Sequence, residues 1–309
     1  MIKRVSLQYF KRFSRQEFEL YEHVVLAGPN NSGKSTLLQA ISVWNLALQR
    51  WLAERGPESG STAKKRTGVA ITRKDFTAIP LRELSLLWTD GITALRQDEV
   101  QPAQKPGYPR FLTITLQTQG WDLAFEFFYQ SSELLYVKPS GQHMNNLAKA
   151  ADSFKVVHVP AFSGIGAEET RYDRPYQDLL IGQGKPGDIL RNLLLEVHQQ
   201  DNKSNWAELT RQVEDIFGYK LQHPLYEGRP YILCEYLQPE SSGEKTRWTK
   251  LDVASAGSGF HQVLLLLGFF YARPATILLL DEPDAHLHVI LQKEIYDLLR
   301  RIAAKRECQ

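Results

Sequence analysis

The sequence predicts an α/β fold, and three observations lead to that class. A short apolar run at 23–26 leads through a glycine-rich turn into an amphipathic helix at 33–54. Period-2 alternation, typical of strands, returns between 110 and 137. A helix at 260–272 is followed by an apolar strand at 275–280. We expect a central mixed or parallel sheet flanked by helices, an N-terminal antiparallel β-subdomain and a short helical insertion lobe.

The elements of the first half follow from the spacing of apolar residues. Alternation and short apolar runs predict strands at 2–9, 16–21, 23–26, 111–116, 122–129 and 133–137. Residues 55–75 are rich in glycine, proline and polar residues, so we expect an exposed, mobile loop there. Lys64, Lys65 and Arg66 are expected at its solvated tip, with a nucleic-acid contact as the alternative.

The second half is predicted to be mainly helical. The predicted elements are a strand at 156–159, helices at 186–200 and 204–217, a hairpin at 230–253 turning at Ser241-Ser242-Gly243, a helix at 260–272, a strand at 275–280 and a last helix at 285–304.

Composition excludes several classes of protein. The 309 residues are 43% hydrophobic, which is typical of a globular chain, and the net charge of +2 does not by itself point to nucleic acid. Cys234 and Cys308 lie far apart, which favours a reducing cytoplasm over a disulfide framework. No secretory signal opens the chain, and its longest apolar run, Val263–Ala272, is about half the length that spans a bilayer. We therefore expect a soluble cytoplasmic protein without membrane contact.

A phosphate-binding loop is the strongest motif. Gly28-Pro29-Asn30-Asn31-Ser32-Gly33-Lys34-Ser35 fits G-x-x-x-x-G-K-[ST] at every fixed position. Backbone N–H groups of such a loop and the following helix N-terminus cradle phosphates, and glycine permits the close approach. A lysine after the second glycine reaches the β- and γ-phosphates, and the next hydroxyl binds Mg²⁺. The predicted nucleotide-binding residues are Gly28, Asn30, Asn31, Ser32, Gly33, Lys34, Ser35 and Thr36, with Ser35 also a Mg²⁺ ligand.

An acidic strand end is the second motif. The apolar run Ile277-Leu278-Leu279-Leu280 ends in Asp281 and Glu282, which is typical of a buried parallel strand whose tip reaches a ligand. Asp281 is predicted to hold Mg²⁺, directly or through water, and Glu282 to orient and deprotonate the attacking water. Together the motifs predict ATP binding with Mg²⁺ and hydrolysis, with Glu282 and Lys34 as the catalytic residues.

These motifs resemble the ATP-binding cassette family, and three further segments resemble its OLD, RecF and SMC branch. Gly257-Ser258-Gly259 looks like the signature-loop variant of ATPases related to OLD nucleases. The run Asp281–His288 resembles the Asp-Glu-Pro-x-x-His-Leu-His of that group. The opening Leu7–Phe13 is similar to the start of these ATPases, with Tyr9 in place of the usual Asn. The resemblance covers about 1–48 and 250–300.

The resemblance implies a dimer formed around ATP. Ser258 and Gly259 of one subunit would close over the nucleotide of the other, with a plain helix cap as the alternative. The run Asp284–His288 would couple the two sites. Lys11 would touch nucleotide, or else be a solvated surface lysine. His286 and His288 are expected to pack at the interface rather than bind metal, because i, i+2 spacing does not put them on one helix face.

The resemblance also implies the domain plan. We expect one ABC-type ATPase domain, with a nucleotide-binding core at 1–54 and 250–309, a β and loop insertion at 55–155 and a helical and hairpin lobe at 165–250. The family's switch histidine would lie beyond Gln309, so we expect this chain to hydrolyse ATP weakly by itself. The lobe is too short for an SMC-type coiled-coil arm.

The function that the resemblance implies is an ATP-driven switch. Such a homodimer or higher oligomer would control an effector, a nuclease or toxin on a partner protein or in a fused C-terminal domain, in bacterial defence against phage or foreign DNA. A RecF-like repair ATPase that clamps DNA is one alternative. A scaffold that holds a toxin or inhibitor is the other.

Overall fold

A computed structural model describes residues 1–57, 68–76, 79, 81–96, 107–140, 146–242 and 245–309. The strands are β1 Ile2–Phe10, β2 Phe13–Glu19, β3 Val69–Thr72, β4 Leu112–Thr118, β5 Asp122–Tyr129, β6 Leu134–Pro139, β7 Val156–Val159, β8 Lys220–Leu221, β9 Glu235–Ser242, β10 Lys245–Asp252 and β11 Ile277–Leu280. The helices are α1 Lys34–Arg55, α2 Leu147–Ser153, α3 Arg174–Gly182, α4 Leu190–Gln199, α5 Lys203–Phe217, α6 Ser258–Ala272 and α7 Val289–Lys305. None of these helices is long and apolar enough to cross a membrane.

The chain divides into two compact units. The first unit comprises Met1–His158, Thr276–Leu279 and Ala303–Gln309, and the second comprises Val159–Ala275 and Leu280–Ile302. The predicted division into a core, an insertion and a lobe within one ATPase domain stays a prediction. The α/β class is confirmed, since strands and helices both contribute to the chain.

A six-stranded sheet forms the framework of the first unit. Its order is β2-β1-β4-β5-β6-β3, and each neighbouring pair is antiparallel. The predicted antiparallel β-subdomain is therefore confirmed. Strand β3 lies within 55–75, where we expected only loop. Its four residues are too few to show a sequence period, and pairing with β6 stabilises them. The basic run Lys64–Arg66 lies outside the described residues.

Helix α1 covers this sheet through a large aromatic residue. Trp44 is fully buried, and its indole N–H donates to the carbonyl of Leu123 in β5 at 2.9 Å. Its ring stacks on Trp121 at 5.8 Å and meets the edge of Phe154 at 5.0 Å. A buried tryptophan with its N–H satisfied packs in one orientation. Trp44 therefore fixes α1, and with it the loop that precedes Lys34.

The prediction of a buried strand at His23–Leu26 is wrong. The segment has no strand assignment, and Val24 and Val25 are 41% and 67% exposed. A strand in the centre of a sheet is stabilised by ladders on both edges. Among the described residues, no strand pairs with this segment. An apolar run of this length indicates a tendency to be buried, but it does not show whether neighbouring strands are present to pair with it.

Strands β7 and β11 form a separate two-stranded sheet. Ile277 N donates to the carbonyl of Lys155 at 3.1 Å, and Asp281 N donates to that of Val159 at 3.0 Å. Residue numbers rise together along both strands, so the pair is parallel. The predicted strand before Asp281 is therefore present, and β7 lies where the apolar run at 156–159 predicted it.

In the second unit, α6 is the central helix. All of its residues from Phe260 to Ala272 are buried, and it contacts α4 and α5. The helix predicted at 186–200 begins with a 3₁₀ turn over Pro186–Ile189.

Helices α2 and α3 are not in the prediction, because seven and nine residues are too short for a clear helical period.

Two further predicted elements of the second unit are the last helix and the hairpin. The last helix starts at Val289 rather than at 285, because residues 281–288 form turns, with Leu287 N bonded to the carbonyl of Asp284. The predicted hairpin is present as β9 and β10. Gly243, in its predicted turn, lies outside the described residues.

Candidate nucleotide-binding site

The predicted phosphate loop runs directly into α1. The helix begins at Lys34, and its N-cap is Gly33 with φ of 105°. Asn31 also has positive φ, at 61°, and Ser32 N donates to the carbonyl of Pro29. Residues 28–32 are exposed. An exposed loop with left-handed residues before a helix N-terminus is the kind of segment that cradles an anion.

Gly33 is fixed in place by the β1–β2 hairpin. A Cβ at this position would lie 2.5 Å from the ring of Phe13 and 3.1 Å from Cδ of Arg12. The left-handed φ independently disfavours any other residue. The loop therefore rests on the hairpin, and its second glycine is needed for packing as well as for phosphate approach.

Lys34 extends back over the loop. Its Nζ donates to the carbonyls of Gly28 at 2.7 Å and Pro29 at 3.0 Å. The ammonium group is thus held against the exposed loop, from where it can bind phosphate oxygens as a point charge. Ser35 and Thr36 follow in the first turn of α1, and both are half-buried.

Lys11 is directed toward α1. Its Nζ donates to Oε1 of Gln39 at 2.6 Å, and burial lowers the pKa of its ammonium. Its backbone has φ of 49°, and its N–H donates to the carbonyl of Leu87. Lys11 is therefore not a solvated surface lysine. Nucleotide contact by this residue stays a prediction.

The acidic strand end belongs to the second unit. Asp281 is half-buried and Glu282 is exposed, with φ of 49°. A non-glycine residue in the left-handed region is uncommon, and such strain concentrates at functional sites. Gln262, which is 2% exposed, donates from Nε2 to the carbonyl of Glu282 at 3.0 Å. Its Oε1 accepts from the backbone N–H of His286 at 3.1 Å.

Gln262 therefore joins the Gly-Ser-Gly helix to the segment after β11. Gly259 reinforces the join, since a Cβ there would lie 3.1 Å from the carbonyl of His286. Ser258, by contrast, is exposed at the first position of α6. The sequence gives only a weak signal of this role, the i, i+3 separation of Gln262 from Gly259.

A buried polar network supports the turn before Gly257. Arg191 is 1% exposed and donates to the carbonyls of Gly166 and Ala167 and to the carboxylate of Asp252. Asp252 in turn accepts from the N–H of Ala254 at 2.7 Å. Neither Arg191 nor Asp252 was singled out from the sequence, because charged residues on a predicted helix and strand look like solvated surface.

The imidazole of His286 contacts Phe162. Its Nε2 lies 3.3 Å from the carbonyl of Phe162, and the two rings meet edge to face at 5.6 Å. Within the part of the chain that the structure describes, no group of three metal-ligating side chains occurs. Packing at a subunit interface, which we predicted for His286 and His288, stays a prediction.

One family of known proteins matches part of this chain. Residues 241–309 match the family described as "AAA domain, putative AbiEii toxin, Type IV TA system". No curated protein matches the chain. This family match, together with the loop geometry, supports a P-loop ATPase of the AAA or ABC type.

The solved structures that are similar to this chain include two SMC head domains. One is the SMC head domain of Pyrococcus furiosus with an extended coiled coil, bound to the C-terminal domain of ScpA, with 16% identity and a TM-score of 0.46 over 100% of this chain and 88% of that one. The other is the SMC head domain from Thermotoga maritima, with 13% identity and a TM-score of 0.46 over 98% of this chain and 85% of that one.

The residues present fit the nucleotide and cation that such ATPases use. The exposed loop at residues 28–32, the start of α1 and the Lys34 ammonium suit phosphate oxygens. The hydroxyl of Ser35 and the carboxylate of Asp281 are the hard oxygen ligands that Mg²⁺ prefers. The structure divides the predicted site residues between its units: those at 11 and 28–36 belong to the first, and Ser258, Gly259, Asp281 and Glu282 to the second.

Proposed function

We propose that this chain binds ATP with Mg²⁺ and hydrolyses it. The geometry of the phosphate loop is the observation that carries the proposal. Gly33 adopts a left-handed N-cap, residues 28–32 are exposed, and the Lys34 ammonium is held against the loop by the carbonyls of Gly28 and Pro29. Charge-assisted hydrogen bonds from these groups would bind the β- and γ-phosphates.

We assign the chemistry to the residues after the loop and after β11. Ser35 and Asp281 are the proposed Mg²⁺ ligands, with Asp281 acting directly or through water. The cation would neutralise charge on the β- and γ-phosphate oxygens. Glu282 orients the attacking water and accepts its proton, a role supported by its exposure and its constrained backbone.

We further propose that ATP joins two copies of the chain. Ser258 is exposed at the N-terminus of α6, where the helix dipole favours an anion, and it would contact the γ-phosphate in the partner subunit with Gly259. Such a dimer would act as an OLD-like switch that controls a nuclease or toxin in bacterial defence. The family description, which names a putative toxin, supports a toxin-linked setting.

Replacement of Lys34 tests the proposal. Lys34→Ala removes the ammonium group that is bonded to the loop carbonyls of Gly28 and Pro29, so ATP affinity should fall about a hundredfold or more, as expected for charge-assisted bonds. Binding is measured by titration of a fluorescent ATP analogue with Mg²⁺. Lys3→Ala, at a half-buried lysine of β1, is the control and should leave affinity unchanged. Normal ATP binding by Lys34→Ala would show that the loop assignment is wrong.

A further inference from the structure

A polar pocket in the first unit is separate from the phosphate loop. It has a volume of about 420 Å³ and lies where the β1–β2 hairpin meets the segment 88–96. Known ligand pockets of roughly 300–1,000 Å³ hold small organic molecules. The lining residues are Gln8, Tyr9, Ser14, Arg15, Thr89, Asp90, Ile92, Arg96 and Arg110.

Positive charge distinguishes this pocket. Among the described residues that line it, three are arginines, Arg15, Arg96 and Arg110, and one is acidic, Asp90. A phosphate monoester, which carries a charge of about −1.5 to −2 at neutral pH, is complementary to a group of guanidinium side chains. Guanidinium groups also match phosphate in geometry, since each can donate two parallel hydrogen bonds.

The innermost of these arginines is held rigidly. Arg110 is 4% exposed, and its guanidinium carbon lies 4.5 Å from the centre of the Tyr9 ring. Its backbone is fixed at both ends: its N–H donates to the carbonyl of Thr93 at 2.8 Å, and its carbonyl accepts from the indole of Trp88 at 2.7 Å. A guanidinium that is already oriented and stacked loses little conformational entropy when it binds an anion.

The remaining lining suits an organic group attached to the phosphate. Gln8, Ser14 and Thr89 supply amide and hydroxyl groups, and Tyr9 and Ile92 supply apolar surface. Thr89 is positioned by a 3.1 Å hydrogen bond from its hydroxyl to the carbonyl of Phe13. Convergent polar groups around a partly apolar wall are typical of a specific small-molecule site.

We propose that this pocket binds a small organic phosphate no larger than a mononucleotide. Arg15, Arg96 and Arg110 would bind the phosphate, while Gln8 and Ser14 would bind hydroxyl groups of the ligand. The site is additional to the proposed ATP site and does not depend on it, because none of its lining residues belongs to the loop at 28–36.

The test is a calorimetric titration of ribose 5-phosphate into the full chain that carries Lys34→Ala. This substitution minimises binding of the probe at the phosphate loop. We expect saturable binding that ribose does not show. Arg15→Gln should weaken it about tenfold or more, the loss of one charge-assisted interaction. Arg110→Gln should weaken it further. Arg4→Gln, at an exposed arginine of β1 outside the pocket, is the matched control and should bind as the parent does.

Several results would overturn the proposal. They are the absence of saturable binding, equal affinity in Arg15→Gln and its parent, or binding of ribose or succinate as tight as that of ribose 5-phosphate. Arg15 is exposed, so its variant remains informative even if Arg110→Gln fails to fold. Each of these results would leave the ATP proposal intact, because ATP binding is measured on the chain with Lys34 present.

Discussion

Gly33 shows how a single residue can serve a motif and a fold together. The G-x-x-x-x-G-K-[ST] pattern identifies it as part of a phosphate loop. The structure adds a second constraint, the close contact with the Phe13 ring on the hairpin, which would lie 2.5 Å from a Cβ at Gly33. This contact joins residues 20 positions apart, and no spacing rule in the sequence relates them. The role of Gly33 could be predicted, whereas its neighbours could not.

Gly33→Ala should therefore destabilise the protein. The new methyl group would lie 2.5 Å from Phe13 Cζ, and the backbone would hold alanine at φ of 105°. Overpacking and a left-handed alanine each cost about 1–3 kcal/mol. We expect the melting temperature to fall by several degrees in thermal denaturation followed by circular dichroism.

Gly120→Ala is the control for this substitution, since a Cβ at Gly120 has nothing within 4 Å. Its melting temperature should change little. Equal melting temperatures for Gly33→Ala and the wild type would contradict the packing described for the hairpin.

At the scale of elements, pattern predicted the long segments and failed where a neighbour decides the structure. Strands β1, β4, β5 and β6 and helix α1 have enough residues to show a period, and they lie where we predicted. The segment His23–Leu26 is as apolar as a buried strand, yet Val25 is 67% exposed. Helix α4 is a further case, because its start depends on a residue outside the helix.

Glu169 caps the N-terminus of α4. Its carboxylate accepts from the backbone N–H groups of Arg191 at 2.8 Å and Asn192 at 2.6 Å, and also from the Asn192 side chain. Burial raises the pKa of Glu169 to about 7, although these hydrogen bonds and the Arg191 charge act in the opposite direction. A carboxylate at a helix N-terminus stabilises the helix through its orphan amides.

The raised pKa predicts a dependence of stability on pH. Because folded Glu169 keeps its proton up to about pH 7, whereas the unfolded side chain loses it near 4.5, the folded state binds more protons between these values. The free energy of unfolding should fall as pH rises through that window, by on the order of 1–3 kcal/mol. Glu169→Gln removes the titrating group.

Denaturant unfolding of both proteins at about pH 5 and about pH 7.5 measures the effect. The wild type should lose more stability over this interval than Glu169→Gln, and the difference isolates Glu169 from other titrating groups. Identical pH dependence in the two proteins would show that the Glu169 carboxylate titrates at its ordinary value in the folded protein.

At the scale of the whole molecule, the sequence predicted both chemical motifs but not how each is supported. The phosphate loop belongs to the first unit, and the acidic strand end with the Gly-Ser-Gly helix belongs to the second. Within the second unit, Gln262 bonds to the backbone of both Glu282 and His286. A glutamine within a helix can have many ordinary structural roles, so the sequence position of Gln262 did not indicate this connection.

This connection bears on the proposed dimer. Gln262 and Gly259 tie the start of α6 to the segment that contains Glu282, so Ser258 and the proposed base are held by one set of contacts. If Ser258 binds the γ-phosphate of the partner subunit, a block in hydrolysis should prolong the life of the dimer. Glu282→Gln provides that block, because an amide keeps the size of the side chain but cannot accept the proton from water.

We therefore expect Glu282→Gln to bind ATP with wild-type affinity and to form a longer-lived ATP-dependent dimer. Sedimentation velocity with ATP and Mg²⁺ would show the dimer fraction, and the same protein with ADP should sediment as a monomer. Glu294→Gln, at an exposed glutamate of α7, is the matched control and should behave as the wild type does. Adding Ser258→Arg to Glu282→Gln should abolish the dimer while leaving ATP binding unchanged, because only contact with the partner's nucleotide requires a small residue there. A dimer that forms equally well without nucleotide, or that tolerates Ser258→Arg, would refute the assignment of Ser258 to the partner's γ-phosphate.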